Sequence, residues 1–269
     1  MTTSSESSLA RRLAERRAAG RPALVPYVTA GHPSPAATRE LLGALGGMVD
    51  AVEVGIPFSD PLADGPVIQR ASQEALAAGM TPAGVLELVA AARPPVPVVL
   101  FSYVNPVLQY GPAAFLRDAA AAGVSGLLLT DLPAGADPEL EAAVRASALD
   151  LVPLVAPTTT PARLRRIVAG AQGFVYLVAR LGVTGASAEL DAGLEASVSA
   201  VRAATSLPVL VGFGVSTPAQ AARVATLADG VVVGSALVDR LGRGGVAAGL
   251  AFLTALRSAL DEVRSPVHA

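Results

Sequence analysis

The 269-residue sequence predicts an α/β fold, a single (β/α)8 TIM barrel with an extra N-terminal helix and an elaborated loop after the second strand. Eight short β-rich runs alternate with alanine-rich helical segments, which is the pattern of a barrel of this length. Most runs are continuously apolar, as expected for parallel strands covered on both faces. No change in composition and no Ser/Gly linker marks a boundary, so we expect one domain over residues 1–269.

The predicted strands share an apolar, β-branched composition and end near glycine or polar residues. They lie at Ala23–Ala30, Asp50–Gly55, Val96–Tyr103, Gly126–Asp131, Leu151–Ala156, Gly173–Ala179, Pro208–Gly212 and Gly230–Gly234. A doubly wound open sheet is the alternative architecture for alternating strands and helices. Eight strands favour the closed barrel, because that number closes a sheet on itself.

The predicted helices are rich in alanine, and several open on proline and close at glycine. They lie at Ala36–Leu45, Val67–Ala78, Thr81–Ala92, Ala113–Ala122, Pro138–Ala148, Pro161–Ala169, Leu190–Ala203 and Pro218–Ala225. Two of them follow the second strand and lengthen that connection, which is where barrels of this class place specificity. Within residues 1–20, Leu9 and Leu13 among charged neighbours predict a surface helix that covers the barrel.

Composition excludes several classes of function. A net charge of −2 offers no electrostatic reason to bind nucleic acid or an anionic membrane. There is no cysteine for disulfides or thiolate catalysis, and all 20 basic residues are arginine, so no lysine can form a Schiff base. Only His32 and His268 could supply imidazole, too few for a multi-histidine zinc site. Without a signal peptide or a long apolar run, we expect a soluble, cytoplasmic protein that uses no metal.

The segment VEVGIPFSDPLADGP, residues 52–66, places a carboxylate inside an apolar strand. Side chains alternate along a strand, so if Val52 and Val54 face the helices, Glu53 points into the barrel near its carboxyl end. A carboxylate there is poorly solvated, which raises its pKa and suits it to proton exchange. The alternative is a structural carboxylate paired with an arginine.

The loop that follows carries Asp60 and Asp64 between three prolines, Pro57, Pro61 and Pro66. Proline restricts the backbone, so the loop can hold a functional side chain with little entropy left to lose. The alternative is that both aspartates are solvated residues that form turns.

Glycine-rich turns follow the last two predicted strands, at 212–216 and 234–236. Barrels often bind phosphate there through backbone N–H groups and a helix N-terminus, and glycine permits the close approach. Because the chain has no lysine, such a backbone site is the expected phosphate receptor. The glycines of segment 180–186 suggest a hinged lid, with an ordinary mobile loop as the alternative.

Taken together, these segments resemble the tryptophan synthase alpha subunit family, the indole-3-glycerol-phosphate lyases. VEVGIPFSDPLADGPVIQRAS closely matches the signature of that family, and the resemblance continues at 26–31, 103–107, 130–133, 182–185, 212–216 and 234–236. It implies a reversible retro-aldol cleavage of indole-3-glycerol phosphate to indole and glyceraldehyde 3-phosphate, without a cofactor. Glu53 is then the acid/base, and Asp64 hydrogen-bonds the indole N–H and stabilises the developing cation.

The resemblance also implies roles for other residues. Two match positions near the catalytic carboxylates, Tyr176 and the lid residue Thr184, which meets Asp64 on closure. The residues expected to line or border the indole pocket are Tyr27, Leu100, Tyr103 and Phe213. Those expected to hold the phosphate are Gly185, Gly214, Gly234 and Ser235. The candidate contacts with a beta subunit in an αββα assembly are Pro57, Asp60, Asn105 and Pro133.

Three departures from the family pattern keep alternatives open. His32 and Ala179 replace residues that the family usually carries, and Ala134-Gly135-Ala136 stands where many relatives have adjacent glutamates near the subunit contact. One alternative is therefore a free-standing lyase that releases indole. Another is a non-catalytic barrel that binds phosphate ligands and activates a beta subunit, although the intact Glu53 and Asp64 argue against it.

Overall fold

The computed structural model describes residues 7–178, 193–212 and 214–264, and its parallel strands form the wall of a barrel. The strands are β1 (Ala23–Thr29), β2 (Val52–Gly55), β3 (Val98–Ser102), β4 (Val124–Leu129), β5 (Asp150–Leu151), β6 (Leu154–Val155), β7 (Val175–Val178), β8 (Val209–Gly212) and β9 (Gly230–Val233). Their order in the sheet is β5-β4-β3-β2-β1-β9-β8-β7-β6, so the two ends of the sheet are neighbours in sequence.

The barrel closes where the fifth predicted strand is divided into β5 and β6. Pro153 lies between them and has no N–H to donate, so the regular ladder is interrupted there. The wall nevertheless continues, because the Val152 N–H donates to the Leu127 carbonyl at 3.0 Å and the Tyr176 N–H donates to the Pro153 carbonyl at 2.9 Å. The (β/α)8 barrel predicted from the sequence is confirmed, with one of its eight strands in two pieces.

Eleven helices in the described residues surround this wall. They are α1 (Ser8–Ala18), α2 (Pro35–Gly43), α3 (Pro66–Ala77), α4 (Pro82–Ala92), α5 (Val104–Tyr110), α6 (Pro112–Ala121), α7 (Pro138–Ala146), α8 (Pro161–Val168), α9 (Leu194–Ala204), α10 (Pro218–Ala225) and α11 (Ser235–Asp261). Several begin with proline just after a hydroxyl side chain that accepts from a first-turn N–H, as at Ser34, Thr81 and Thr217.

Two helices were not predicted, α5 and α11. The first has only 7 residues, fewer than the periodic pattern needs to be recognised. The second spans 27 residues but is broken at Gly245, whose φ of 66° is not helical. Glycine has a low helix propensity, so the glycine-rich segment around that break did not indicate a helix.

The N-terminal helix α1 closes the amino-terminal end of the barrel. Leu9 and Leu13 are 0% and 1% exposed and pack in the cluster that fills the interior of the barrel. Leu9 lies so close to the wall that a Cβ at Gly126 or Gly173 would be 3.1 or 3.0 Å from its Cδ2. The predicted surface helix is therefore surface-exposed only on its charged side, and its leucines belong to the core.

A buried carboxylate, Asp50, fastens α1 to the wall. Arg12 and Arg16 of α1 lie 2.9 and 3.2 Å from its Oδ1, and Arg257 of α11 lies 3.3 Å from its Oδ2. The backbone N–H of Leu24 also donates to this carboxylate at 3.0 Å. Partners on every side compensate the desolvated charge, which would otherwise be costly at 1% exposure.

Alternation along the strands divides the apolar side chains into two clusters. Val25 and Val99 belong to the cluster inside the barrel, whereas Val54 and Leu100 belong to the cluster between wall and helices.

Within the described ranges, no single helix has the length and apolarity to cross a bilayer, and only α3 and α4 taken together, bent by 94°, meet those criteria.

Replacement of Leu13 by alanine is expected to lower the free energy of unfolding by about 2–5 kcal/mol, because it leaves a cavity under the barrel. Leu62→Ala is the matched control: Leu62 is 87% exposed, and its truncation should change stability by less than about 0.5 kcal/mol. Urea denaturation followed by circular dichroism measures both. Equal stabilities of the two variants would contradict the placement of α1 in the core.

Candidate active site

Glu53 of β2 is a fully buried carboxyl group inside the barrel. It lies beside Tyr27 of β1 and Val99 of β3 in the sheet register, and it is 0% exposed. Among the described residues, neither carboxyl oxygen has a hydrogen-bond partner. Burial therefore raises the pKa of Glu53 well above its ordinary value. The protonated form of Glu53 is therefore favoured, and no arginine of the described residues forms an ion pair with it.

Asp64 lies in the loop between β2 and α3 and is also buried, at 4% exposure. Burial raises the pKa of Asp64 to about 6, although a hydrogen bond from the Tyr103 hydroxyl, 3.1 Å from Oδ2, acts to lower it. The group is therefore mostly anionic at pH 7. The loop is held by hydrogen bonds to its backbone, since the Asp64 N–H donates to the Pro61 carbonyl and the Gln69 side chain donates through Nε2 to the Asp64 carbonyl.

Asp60, the other aspartate of this loop, behaves as a turn residue. It is exposed and accepts a hydrogen bond of 2.6 Å from the neighbouring Ser59 hydroxyl. The two aspartates, which the composition of the loop alone does not distinguish, are thus separated by burial: one faces solvent, and the other faces the interior.

Both buried carboxylates line a single cavity at the carboxyl end of the barrel. The other residues around it come from several strands and from the turns that follow them: Tyr27, Ile68, Phe101, Tyr176, Gly214, Val215, Val232, Gly234 and Ser235. One cavity therefore contains Glu53, whose raised pKa favours the protonated form, the mostly anionic Asp64, an apolar wall and two glycine turns. Such a combination can bind a flat apolar ring at one end and an anion at the other.

Two tyrosines flank Glu53 in slots formed by glycine. The hydroxyl of Tyr27 occupies the space of a Cβ on Gly55, and the hydroxyl of Tyr176 occupies that of a Cβ on Gly212. Burial and the nearby carboxylates raise the pKa of both phenols well above the ordinary value, so both remain protonated. The glycines at the ends of β2 and β8 thereby determine how deep the tyrosine rings lie.

The glycine turns form the other end of the cavity. Gly234 is the N-cap of α11, and no side chain of the described residues caps this terminus. The N–H groups of a first helical turn point outward and favour an anion. Gly214 adopts a φ of 91°, which a residue with a side chain rarely adopts and which brings its backbone to the cavity.

The structure separates the remaining predicted pocket residues. Leu100 does not line the cavity, because its side chain faces the helix layer, whereas its neighbour Phe101 faces inward. Tyr103 lies outside the cavity lining and contacts Asp64 instead. The predicted residues Thr184, Gly185 and Phe213 lie outside the described residues. Alternation along β3, the same rule that placed Glu53, would have selected Phe101.

Ile68, Val215 and Val232 also line the cavity and were not predicted. Val232 was within reach of the same alternation rule, because it belongs to the cluster inside the barrel. Ile68 lies in the first turn of α3 and Val215 in the loop after β8, and neither position is reached by the alternation of a strand.

The predicted partner residues lie in loops and a helix that follow β2, β3 and β4. Asp60, Asn105 and Pro133 are exposed, whereas Pro57 is buried within the chain. Two large apolar side chains are exposed among them, Leu62 at 87% and Leu108 at 47%, and these are the exposed large apolar side chains of the described residues.

A larger cavity lies outside the barrel wall, between α7 and α8, and is lined by Pro133 and Ala134 among others. Its one acidic residue, Glu141, is held by Arg145 at 2.7 Å. No free acid is available there among the described residues, so this cavity lacks the chemistry of the smaller one.

His32, whose role the sequence left open, is buried with Nδ1 2.9 Å from Glu74 Oε2.

Comparison with known proteins agrees with this geometry. A family model described as tryptophan synthase alpha chain matches residues 13–259. The tryptophan synthase alpha chain of Halorhodospira halophila is 51% identical over 266 residues, which cover 95% of this chain and 97% of the relative. The structure of Mycobacterium tuberculosis tryptophan synthase superposes with a TM-score of 0.88 at 40% identity, covering 95% of this chain and 98% of that one. The tryptophan synthase alpha subunit from Legionella pneumophila superposes with a TM-score of 0.88 at 35% identity, covering 96% of this chain and 100% of that one.

Gly55→Ala is expected to destabilise the protein by about 1–3 kcal/mol, because the new methyl group overlaps the Tyr27 ring. The control is Gly43→Ala in α2, where the nearest atom is 3.9 Å from the new Cβ and helix propensity makes the change neutral or stabilising. Adding Tyr27→Leu to Gly55→Ala should recover part of the loss. Chemical denaturation of the wild type, the two single variants and the double variant measures this recovery as a coupling energy. Additive effects would contradict the contact.

Proposed function

The chain belongs to the tryptophan synthase alpha chain family, and we propose that Glu53 and Asp64 carry out the family's reaction in it. That reaction is the reversible cleavage of indole-3-glycerol phosphate to indole and glyceraldehyde 3-phosphate, so the chain is a carbon–carbon lyase of tryptophan biosynthesis. One observation carries the assignment of residues. Two buried carboxyl groups share a cavity but differ in hydrogen bonding, since one has no donor in the described residues and the other has one, and this difference favours opposite protonation states.

Glu53 supplies and recovers the proton. Its raised pKa favours the protonated form, which can transfer a proton to C3 of the indole ring and convert the ring into an indolenine cation. The resulting carboxylate then takes the proton of the hydroxyl on the adjacent side-chain carbon. The carbon–carbon bond breaks, its electron pair returns to the ring, and indole and the aldehyde are released with Glu53 protonated again.

Asp64 stabilises the charge that this step creates. With a pKa of about 6 it is anionic at neutral pH, and its carboxylate can accept a hydrogen bond from the indole N–H. Protonation at C3 places positive charge on that nitrogen, so the interaction strengthens as the transition state forms. Its buried position keeps water from screening the attraction.

The rest of the cavity positions the substrate. Phe101 and Ile68 supply the apolar wall for the indole ring, with Tyr27 and Tyr176 beside Glu53. Gly214, Gly234 and Ser235 supply backbone donors for the phosphate at the opposite end. Thr184, Gly185 and Phe213 remain predictions from the resemblance. Leu100 remains one too, with its side chain between the barrel wall and the helices.

A beta subunit is the proposed partner. The relatives are named as alpha chains of tryptophan synthase, which favours a subunit of an αββα assembly over a free-standing lyase. The exposed Leu62 and Leu108, close in sequence to Asp60 and Asn105, supply apolar surface of the kind that a partner covers. Pro133, which is exposed, completes the proposed contact, whereas Pro57, which is buried, would contribute only by shaping the loop. Two further expectations stay predictions: the single domain over residues 1–269 and the cytoplasmic location.

Glu53→Gln is expected to lower the rate of indole formation from indole-3-glycerol phosphate at least about 100-fold, because an amide cannot exchange the proton. Glu87→Gln, at an exposed position on α4, is the control and should retain the normal rate. A near-normal rate in Glu53→Gln would remove Glu53 from the mechanism. It would also revive the hypothesis of a non-catalytic barrel.

The same variant should fold, and its stability should depend on pH in a defined direction. In the native state burial keeps Glu53 protonated to higher pH than in the unfolded chain, where it loses its proton above the ordinary value of 4.5. The wild-type protein therefore loses stability relative to Glu53→Gln as the pH rises above 4.5 towards the folded pKa. Thermal unfolding of both proteins between pH 4 and 8 measures this difference, and its absence would contradict a raised pKa.

Addition of the beta subunit from the same organism is expected to accelerate indole formation, and Leu108→Asp should abolish the acceleration while leaving the unassisted rate unchanged. The physical reason is that a charged side chain in an apolar contact is desolvated without a partner. Ser206→Asp, exposed before β8 at the other end of the barrel, is the control. A fast rate without partner and no acceleration would support the free-standing lyase.

A further inference from the structure

Tyr103 lies beside the cavity rather than in its lining, and we propose that it is the positioning residue for Asp64. Its hydroxyl sets the orientation of the Asp64 carboxylate and keeps that group anionic in the free enzyme. The proposal rests on the function proposed above for Asp64 and gives Tyr103 a role other than the pocket contact expected from the sequence.

The position of Tyr103 is itself determined from two sides. It follows β3 directly, is the N-cap of α5, and is 5% exposed. Its ring packs on Phe58 of the β2–α3 loop, with ring centroids 5.1 Å apart and planes inclined by 35°. The barrel wall and the loop thus hold the phenol between them, which leaves its hydroxyl few alternative positions.

The Tyr103 hydroxyl accepts from the backbone and donates to Asp64, with the Thr130 side chain as a further hydrogen-bond neighbour. The Ala63 N–H donates to the Tyr103 oxygen at 3.0 Å, and a backbone N–H can only donate. The phenolic hydrogen must therefore point elsewhere, and the Asp64 Oδ2 lies 3.1 Å away to accept it. A donor fixed in front of the Asp64 carboxyl group favours its ionised form. The Ala63 N–H also polarises the Tyr103 hydroxyl, which makes that hydroxyl a stronger donor.

The groups that face Asp64 do not offer another source of stabilisation. Tyr27 of β1, Glu53 of β2 and Tyr176 of β7 surround it together with Tyr103, and Gln69 of α3 contacts only its backbone carbonyl. Within the described residues, no arginine forms an ion pair with Asp64, and Tyr103 is the side chain that donates to its carboxylate. Burial and the Asp64 charge raise the pKa of the Tyr103 phenol, so it remains protonated and able to donate.

Loss of this donor leaves burial to act on Asp64 without opposition. The pKa of Asp64, which is about 6 with the hydrogen bond, should then rise by about one to two units, the effect expected of a charge-assisted hydrogen bond. A larger fraction of the enzyme then carries a neutral Asp64 at pH 7. The neutral acid does not stabilise a cation on the ring nitrogen, so activity falls at neutral pH and returns as the pH rises.

The test uses Tyr103→Phe with Tyr110→Phe as a matched control. Tyr110 also donates its hydroxyl to an aspartate, Asp118 Oδ2 at 3.0 Å, but in a different part of the chain, so it reports the loss of an equivalent hydrogen bond elsewhere. The carboxyl ¹³C resonance of Asp64 is titrated by NMR in the full chain and assigned with Asp64→Asn. In parallel, kcat and KM for indole-3-glycerol phosphate are measured between pH 5.5 and 9.

We expect the Asp64 pKa to rise in Tyr103→Phe and to remain unchanged in Tyr110→Phe. The acidic limb of the kcat profile should move to higher pH by the same amount, with a several-fold lower kcat at pH 7 and recovery above pH 8. Replacement of Tyr103 by 3-fluorotyrosine, whose phenol is more acidic and almost the same size, should shift the Asp64 pKa in the opposite direction. This second variant answers the question even if Tyr103→Phe is poorly folded.

An unchanged Asp64 pKa in Tyr103→Phe, or in the fluorotyrosine protein, would overturn the proposal. A loss of kcat that is the same at every pH would also overturn it, since that result indicates a structural role alone. If the Asp64 pKa shifts but Asp64→Asn retains normal activity, the positioning by Tyr103 stands and the function proposed for Asp64 fails. The two ideas are therefore separable.

Discussion

Two buried carboxyl groups with different hydrogen bonding share one poorly solvated cavity, and the mechanism proposed for this protein depends on that difference. Burial by itself raises the pKa of any carboxyl group, so burial alone would protonate both. The difference arises because Glu53 has no donor among the described residues, whereas Asp64 accepts from Tyr103. The mechanism proposed for Glu53 and Asp64 needs this asymmetry, since one group would deliver a proton and the other would stay negative beside the charge that results.

The barrel supplies the first group and the loop after β2 supplies the second. Strand alternation turns Glu53 inward, and neighbouring strands exclude water from it completely. Asp64 needs a defined position without a strand, and the loop obtains it from contacts at Pro61 and Gln69 rather than from regular structure. The two groups therefore reach one cavity by different physical means, a rigid ladder and a loop held by hydrogen bonds.

The amino-terminal end of the barrel carries the stability that the site does not provide. A cavity that buries an acid with no hydrogen-bond partner among the described residues contributes little to folding, whereas α1 fills the opposite end with Leu9 and Leu13 and is fastened there through Asp50. This division matches the general behaviour of such barrels, in which one end serves function and the other serves stability. The same division explains why the exposed apolar residues Leu62 and Leu108 follow β2 and β3 at the functional end.

Much of this protein could be predicted from its sequence, because many of its features depend on local periodicity. Apolar runs of strand length predicted the wall, alternation predicted the direction of Glu53, and the resemblance at 52–72 predicted the family. Features that depend on neighbouring elements could not be predicted in this way. The burial of Leu13 depends on the open end of a barrel above it, and the contact of Tyr103 with Asp64 joins residues 39 apart in sequence. Periodicity within one segment shows which face is apolar, but only the packed structure decides what covers that face and which donor reaches which acid.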